Sequence, residues 1–280
     1  MFCDFNIPYP SQGNGKISEE QLINLKKILN MLQKFGYEAV AFNNTISGKI
    51  PNNGSNPIQH FPIDTSDNKK DIKQYSRLTI IINDASQNYA LNSNNETISA
   101  YDILAVQPQN EKIFQIACSV LDVDIISLDF SSRLPFYLKL PMVNLAIERG
   151  IHFEITYGAS LRDNSARKYL ISNAANLVRV TRGKNIIISS EAQKALEIRG
   201  PYDIINLLVQ SSIFGLNQAL AKNCLTNNCR KVLLHSKTRK SIHKGVVSIS
   251  TLDELEPEES WKAGDKDLEA DVLHFDMDED

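Results

Sequence analysis

Seven short apolar runs separated by helix-forming or polar chain set the terms on which this sequence can fold. The runs are Phe2–Ile7, Ala39–Phe42, Leu78–Ile82, Ile103–Val106, Ile125–Leu128, Phe153–Ile155 and Ile186–Ile188, most of them rich in β-branched residues. Strands that are apolar on both faces suit a parallel sheet covered on both sides. The first intervening helix is the clearest. Ser18 and Gln21 have the spacing of a capping box, Leu22, Leu25, Leu29 and Leu32 repeat at three and four residues, and Gly36 supplies a stop. Seven strand signals alternating with helices favour a closed (β/α) barrel of the TIM type over an open doubly wound sheet, although no eighth strand is evident.

Three stretches break the rhythm. Asn43 to Gln74 is rich in Asn, carries Pro51, Pro57 and Pro62, and reads as a long polar loop. From Ile204 to Leu252 there is no Asp or Glu, while Lys222, Arg230, Lys231, Lys237, Arg239, Lys240 and Lys244 stand there beside His235 and His243. The tail, residues 251–280, holds thirteen acids against Lys262 and Lys266, is poor in apolar periodicity, and is expected to be disordered. The net charge of −3 therefore conceals a body, residues 1–250, at +8. A basic body with an acidic appendage points to a polyanionic partner, and nucleic acid is the first candidate. Domain organisation follows the same division, with residues 1–250 as one binding domain and 251–280 as its tail. A 42% hydrophobic content is enough for a sizeable core. No run reaches membrane-spanning length, and the start of the chain lacks the pattern of a secretory signal. Cys3, Cys118, Cys224 and Cys229 are too few and too scattered for a disulfide framework, and are expected to be reduced, packed thiols.

Catalytic chemistry finds little support. Barrel enzymes work at the carboxyl ends of their strands. The first strand here ends in Asp4-Phe5-Asn6, where metal-dependent phosphoesterases of the polymerase-and-histidinol-phosphatase type would carry His-x-His. His60, His152, His235, His243 and His274 show no pair at two or four residues, so neither a metal cluster nor a catalytic residue is assigned. A barrel phosphoesterase drawing ligands from Asp4, Asp84 or His152 remains the enzymatic alternative. Ser190 with Gln193 reads as a second capping box rather than a nucleophile. Gly200-Pro201-Tyr202-Asp203 reads as a helix start, with Pro at the first position and Asp203 complementing the helix dipole. Arg199, just before it, is open between clamping a phosphate and bracing the turn.

The basic segment permits a geometric expectation. On a helix over Asn228–Lys240, Lys231, His235 and Arg239 share one face, Arg230, Lys237 and Lys244 form a second row, and Val232 and Leu233 point elsewhere to dock the helix. Arg162, Arg167 and Lys168 make a second basic group, at the helix leading to Leu177. A row without acids is expected to face phosphates rather than water alone. The other reading is an assembly scaffold whose basic helices meet acidic proteins.

These residues also carry a resemblance. Arg133-Leu134-Pro135-Phe136-Tyr137, Ile147-Glu148-Arg149-Gly150, Phe153-Glu154-Ile155, Arg199-Gly200-Pro201-Tyr202-Asp203 and Asn228-Cys229-Arg230 through Thr238-Arg239-Lys240 closely resemble the TIM-barrel-like protein subunit of archaeal and eukaryotic ribonuclease P. In eukaryotes that family is shared with ribonuclease MRP. The likeness begins at Met1-Phe2-Cys3-Asp4-Phe5 and leaves out the 43–74 loop and the tail. It implies a subunit without catalytic activity, in a ribonucleoprotein whose RNA hydrolyses precursor tRNA at the 5′ leader and whose MRP relative matures rRNA. It implies no cofactor on the protein itself, with magnesium serving the RNA catalyst. It implies partnership with the RNA, with a small RRM-like Pop-type subunit and with other subunits, in the nucleus and nucleolus. Arg162, Arg167, Lys168, Arg199, Arg230, Lys231, His235, Lys237, Arg239 and Lys240 are the expected RNA contacts.

Overall fold

The computed structural model describes residues 1–10, 17–48, 56–61, 72–84, 91, 95–209 and 215–241. All seven expected strands form, as β1 (Phe2–Pro8), β2 (Tyr37–Ser47), β3 (Lys73–Ile82), β4 (Ile103–Pro108), β5 (Ile125–Ser127), β6 (His152–Thr156) and β7 (Ile186–Ser189). Every neighbouring pair is parallel, and their order in the sheet is their order in the chain. The helices are α1 (Glu19–Lys34), α2 (Glu96–Ser99), α3 (Glu111–Ser119), α4 (Leu140–Glu148), α5 (Gly158–Arg162), α6 (Asn164–Thr181), α7 (Pro201–Val209), α8 (Gln218–Asn223) and α9 (Asn227–Lys240). In α1 the capping box is present, Leu25, Ile28, Leu29 and Leu32 are buried, and Gly36 follows at φ +80°. Removing one of those leucines leaves a cavity costing about 2–5 kcal/mol. None of the described helices is long and apolar enough to cross a membrane.

The sheet curls into a nearly closed barrel, and the eighth position is filled without a strand. Cys3 N–H of β1 donates to Leu225 O at 3.0 Å, and Ile188 N–H of β7 to Cys224 O at 3.4 Å, so the turn after α8 bridges the gap. Two apolar clusters result, as a barrel requires. One joins the outer faces of the strands to the helices. The other lies inside, where Cys3, Phe5, Ala39, Ala41, Ile103, Ala105, Ile125 and Ile187 meet Cys229, Val232 and Leu233 of α9. The docking role expected of Val232 and Leu233 is thus observed, and α9 plugs the end of the barrel at which the strands begin.

Two expectations need correction. The 43–74 segment is not wholly a polar loop, because β2 continues to Ser47 and β3 begins at Lys73, paired in continuous register. Asparagine is a poor strand former by propensity, but Asn43 and Asn44 find side-chain hydrogen bonds there that outweigh it. Within 56–61, Ile58 and Phe61 are buried, and Tyr9 donates its hydroxyl to Pro57 O. The remainder of the loop, the tail with Trp261, and His243 and Lys244 lie outside the described residues. Ser190 is the second correction. It starts no α-helix, and the chain passes to a short 3-10 turn at Ala195–Glu197. Ser190 N–H donates instead to the Asp4 carboxylate at 3.1 and 3.2 Å, fastening β7 to β1. The helix start at Pro201 forms as expected, with Asp203 in its first turn.

Candidate nucleic-acid interface

The carboxyl ends of the strands, where barrel enzymes keep their reactive groups, hold a network of amides and hydroxyls around one buried ion pair. Arg77 of β3 binds Glu154 of β6 through Nη1–Oε1 at 2.5 Å and Nη2–Oε2 at 2.6 Å, both side chains fully enclosed. Arg77 also donates to Phe5 O at 2.9 Å and to Thr79 Oγ1 at 3.0 Å. Thr79 passes the chain on to Asn43 Oδ1 at 2.7 Å, Asn43 to Asn6 Oδ1 at 2.8 Å, and Asn6 back to Glu154 Oε2 at 3.3 Å. Asn6 reaches this ring because, between the pairs Asp4–Val40 and Ile7–Phe42, β1 places two residues, Phe5 and Asn6, against the single Ala41 of β2, a bulge that turns both inward. Burial is the largest influence on Glu154 and opposes its charge, but the Arg77 charge together with the hydrogen bonds from Arg77 and neighbouring side chains holds the carboxyl below its ordinary range.

Above the ring opens a cavity of about 340 Å³ lined by Thr45, Gln107, Ser127, Asp129, Thr156 and Arg162, among others. Asp4 of β1 is buried, and desolvation pushes its pKa up to about 6 against the hydrogen bonds from Ser190. The ligands imagined for a phosphoesterase do not converge. His152 begins β6, at the end plugged by α9, whereas Asp4 is tied to Ser190 beyond the end of β7. Burial drives the His152 pKa down to about 4. Among the described residues no three His, Cys, Asp or Glu side chains are grouped to hold a metal ion. All four cysteines are buried and unbridged, and desolvation pushes Cys118 and Cys224 up to about 12.

The helix over Asn227–Lys240 forms, but its expected outward row does not. Arg239 is 5% exposed, with Nε at 3.1 and 3.2 Å from the Asp124 carboxylate. Its Nη2 lies 3.1 Å from the same group, at an angle too poor for a hydrogen bond. His235 Nδ1 is 2.7 Å from Asp124 Oδ1, and Leu104 N–H donates to Oδ2 at 2.8 Å. Lys240 pairs with Asp102 at 3.3 Å. The segment that lacks acids in sequence therefore meets them in space, because Asp102 and Asp124 arrive on the turns leading into β4 and β5. His235 and Arg239 are latch residues between α9 and the barrel. Lys231 and Lys237 remain exposed on the outer side, while Arg230 is half-buried.

Around α6 the basic group divides in the same way. Arg162 is paired with Glu197 at 2.7 Å, and Asp163 is the N-cap of α6. Arg167 donates to Ser160 O at 3.1 Å, a neutral partner, with no ion pair among the described residues, and Lys168 is exposed. Arg199 is exposed, with Nη1 near Leu196 O at 3.5 Å, which favours the turn brace while leaving the charge on the surface. Two further arginines escaped the search for basic runs. Among the described residues Arg133 has no ion pair, and Arg179 donates to Asn176 Oδ1 at 2.9 Å without a carboxylate partner. They lie 46 residues apart in sequence and line one groove. The outward alternation of Arg133, Pro135, Tyr137 and Lys139 was the signal that could have found the first.

Comparison with known proteins places this arrangement. The family described as RNase P subunit p30 matches residues 1–241. The probable ribonuclease P protein subunit 3 of Schizosaccharomyces pombe is 39% identical over 250 residues, covering 89% of this chain and 99% of that one. The ribonuclease P protein subunit p30 of Mus musculus is 41% identical over 231 residues, covering 80% and 84%. The ribonuclease P/MRP protein subunit RPP1 of Saccharomyces cerevisiae is 32% identical over 253 residues, covering 88% and 84%. Among solved structures, a chain in the cryo-EM structure of archaeal ribonuclease P with mature tRNA has the same fold, with TM-score 0.59 at 16% identity, covering 91% of this chain and all of that one.

Proposed function

The chain belongs to the RNase P subunit p30 family and is a non-catalytic protein subunit of ribonuclease P, and from that membership we propose how its surface serves the particle. The observation that carries this is the length of the match, which spans residues 1–241 and so takes in barrel, latch and α9. The chemistry agrees with a supporting role. Where a barrel hydrolase needs groups free to bind metal or move protons, Asn6, Asn43, Thr79 and Arg77 are committed to one another and to Glu154.

The RNA of the particle removes the 5′ leader of precursor tRNA, and the protein supplies exposed positive charge to that RNA. Arg167, Lys168, Arg199 and Lys231 are the contacts favoured by exposure, with Lys237 beside them. Arg162 and Lys240 enter only by exchanging a carboxylate partner for phosphate. The same chain serves ribonuclease MRP and rRNA maturation, a reading supported by the name of the S. cerevisiae relative. It pairs with a small RRM-like Pop-type subunit, binds no cofactor of its own while magnesium serves the RNA, and works in the nucleus and nucleolus. Depletion of the protein in cells should raise precursor tRNA bearing 5′ extensions, measured by blotting for the leader. Unchanged tRNA 5′ ends after depletion would refute the reading.

A further inference from the structure

A groove of about 660 Å³ runs between α6 and the segment from Arg133 to Tyr137. One wall is a single helix face. Tyr169, Ser172, Asn173, Asn176 and Arg179 recur at three- and four-residue steps, and Lys168, exposed and four residues before Ser172, stands at the edge of that stripe. The face from Tyr169 to Arg179 is about 15 Å long at the helical rise. The other wall is extended chain with a two-residue alternation: Phe136 and Leu138 are buried, Phe136 stacked on Phe114 with ring centroids 5.0 Å apart, while Arg133, Pro135 and Tyr137 face out. The walls are tied together, since Asn173 Nδ2 donates to Ser132 O at 2.8 Å. Tyr137 is 78% exposed and Tyr169 42%, an unusual cost for two rings in one groove of a soluble surface.

We propose that this groove seats single-stranded RNA, with bases stacking on Tyr137 and Tyr169 and phosphates meeting Arg133, Arg179 and Lys168. The inference goes beyond the subunit role and rests on it only in taking RNA as the polyanion. Three features select this occupant over a protein. No carboxylate lines the groove, and neither arginine has an acidic partner among the described residues. The lining is not the uniformly apolar centre of a protein interface, since Ser172, Asn173 and Asn176 stand in it alongside Leu134, Phe136 and Ala175. Asn176 already orients the Arg179 guanidinium, so the cation is held in place before a ligand arrives. A single strand rather than a duplex is required because paired bases do not open their faces to side chains, whereas unpaired bases stack on aromatic rings without regard to sequence.

The test uses the full-length chain and a fluorescein-labelled single-stranded RNA of about 12 nucleotides, within the range of single-strand sites. The same RNA closed into a hairpin duplex is measured alongside by anisotropy at low salt. Wild type should prefer the single strand. Tyr137→Ala and Tyr169→Ala should each weaken it about tenfold, while Tyr137→Phe with Tyr169→Phe keeps near wild-type affinity. Arg133→Gln with Arg179→Gln should flatten the log–log salt dependence by about 0.7 per lost contact. All four side chains are outside the core, so melting temperatures should not move. Ultraviolet crosslinking should label the peptides holding Tyr137 and Tyr169. Equal affinity of the double alanine variant and wild type, or no preference for the single strand, overturns the proposal. So does an alanine variant that binds RNA normally but no longer copurifies with a protein subunit, which would make the groove a protein seat. The depletion phenotype is independent of all these outcomes, so the subunit role can stand if the groove fails.

Discussion

Asp124→Ala should unfasten α9 from the barrel. The Asp124 carboxylate is fully enclosed and accepts from Leu104 N–H, from His235 and from Arg239, the last two 111 and 115 residues later in the chain. Truncation leaves the Arg239 guanidinium buried without a carboxylate. Breaking a buried pair from one side costs about 3–5 kcal/mol, against about 0–1 for a surface pair. A domain of this size loses roughly 2–4 °C per kcal/mol, so the melting temperature should fall by about 10 °C. Arg239→Ala should lose a similar amount by stranding Asp124. Combining the two removes both buried charges, leaving mainly the unmet Leu104 N–H and the His235 contact, a deficit of about 1–3 kcal/mol. The double variant should therefore be more stable than the sum of the single losses predicts, by at least about 2 kcal/mol in urea unfolding of the full-length chain followed by circular dichroism. A drop of less than about 2 °C for Asp124→Ala, or strict additivity in the cycle, would refute the latch and return Arg239 to the outward row.

Asp4, at about 6 in the folded protein against an ordinary 3.8, binds its proton more tightly folded than unfolded. Its contribution is thus complete below pH 4 and lost as pH rises through 6, by about 2–3 kcal/mol; the wild type minus Asp4→Asn difference in unfolding free energy should show that slope, and a flat difference would count against it. The four thiols should resist an aromatic disulfide reagent in the native state and all react after denaturation, since each is buried and Cys118 and Cys224 sit up to about 12; prompt labelling of the native protein would contradict the packing. Lys168→Ala with Lys231→Ala should lower the salt slope of RNA binding by about 1.4–1.8, at 0.7–0.9 per contact, without shifting the melting temperature. An unchanged slope would move the contacts elsewhere.

Much of the fold was legible residue by residue. Strand and helix periodicities are local, so Leu22 to Leu32 declare a buried stripe and Ile186 to Ile188 a covered strand whatever surrounds them. Chirality and short connections then leave few arrangements for seven such units, and the barrel is among them. The missing eighth strand was not legible, because Cys224 and Leu225 close the gap with two carbonyl oxygens rather than with a β pattern. Nor was the length of β2, since Asn43 and Asn44 belong to a strand only through partners at Asn6, Thr79 and Tyr101.

The sequence by itself determined the family, the order of elements and the excess of positive charge in residues 1–250. Which of those charges are available to a partner was decided by tertiary structure alone. The reason is the reach of electrostatics. The energy of a cation depends on the carboxylates and the solvent within a few ångströms of it, and those neighbours come from anywhere in the chain. Asp124 claims Arg239 and His235, Asp102 claims Lys240 and Glu197 claims Arg162, across separations of 35 to 138 residues. Arg133 and Arg179, in no basic run, are brought to one groove beside two exposed tyrosines by the packing of α6 against the segment after β5. A stretch without acids therefore described composition correctly, while the fold chose which of its cations would hold the protein together and which would face outward.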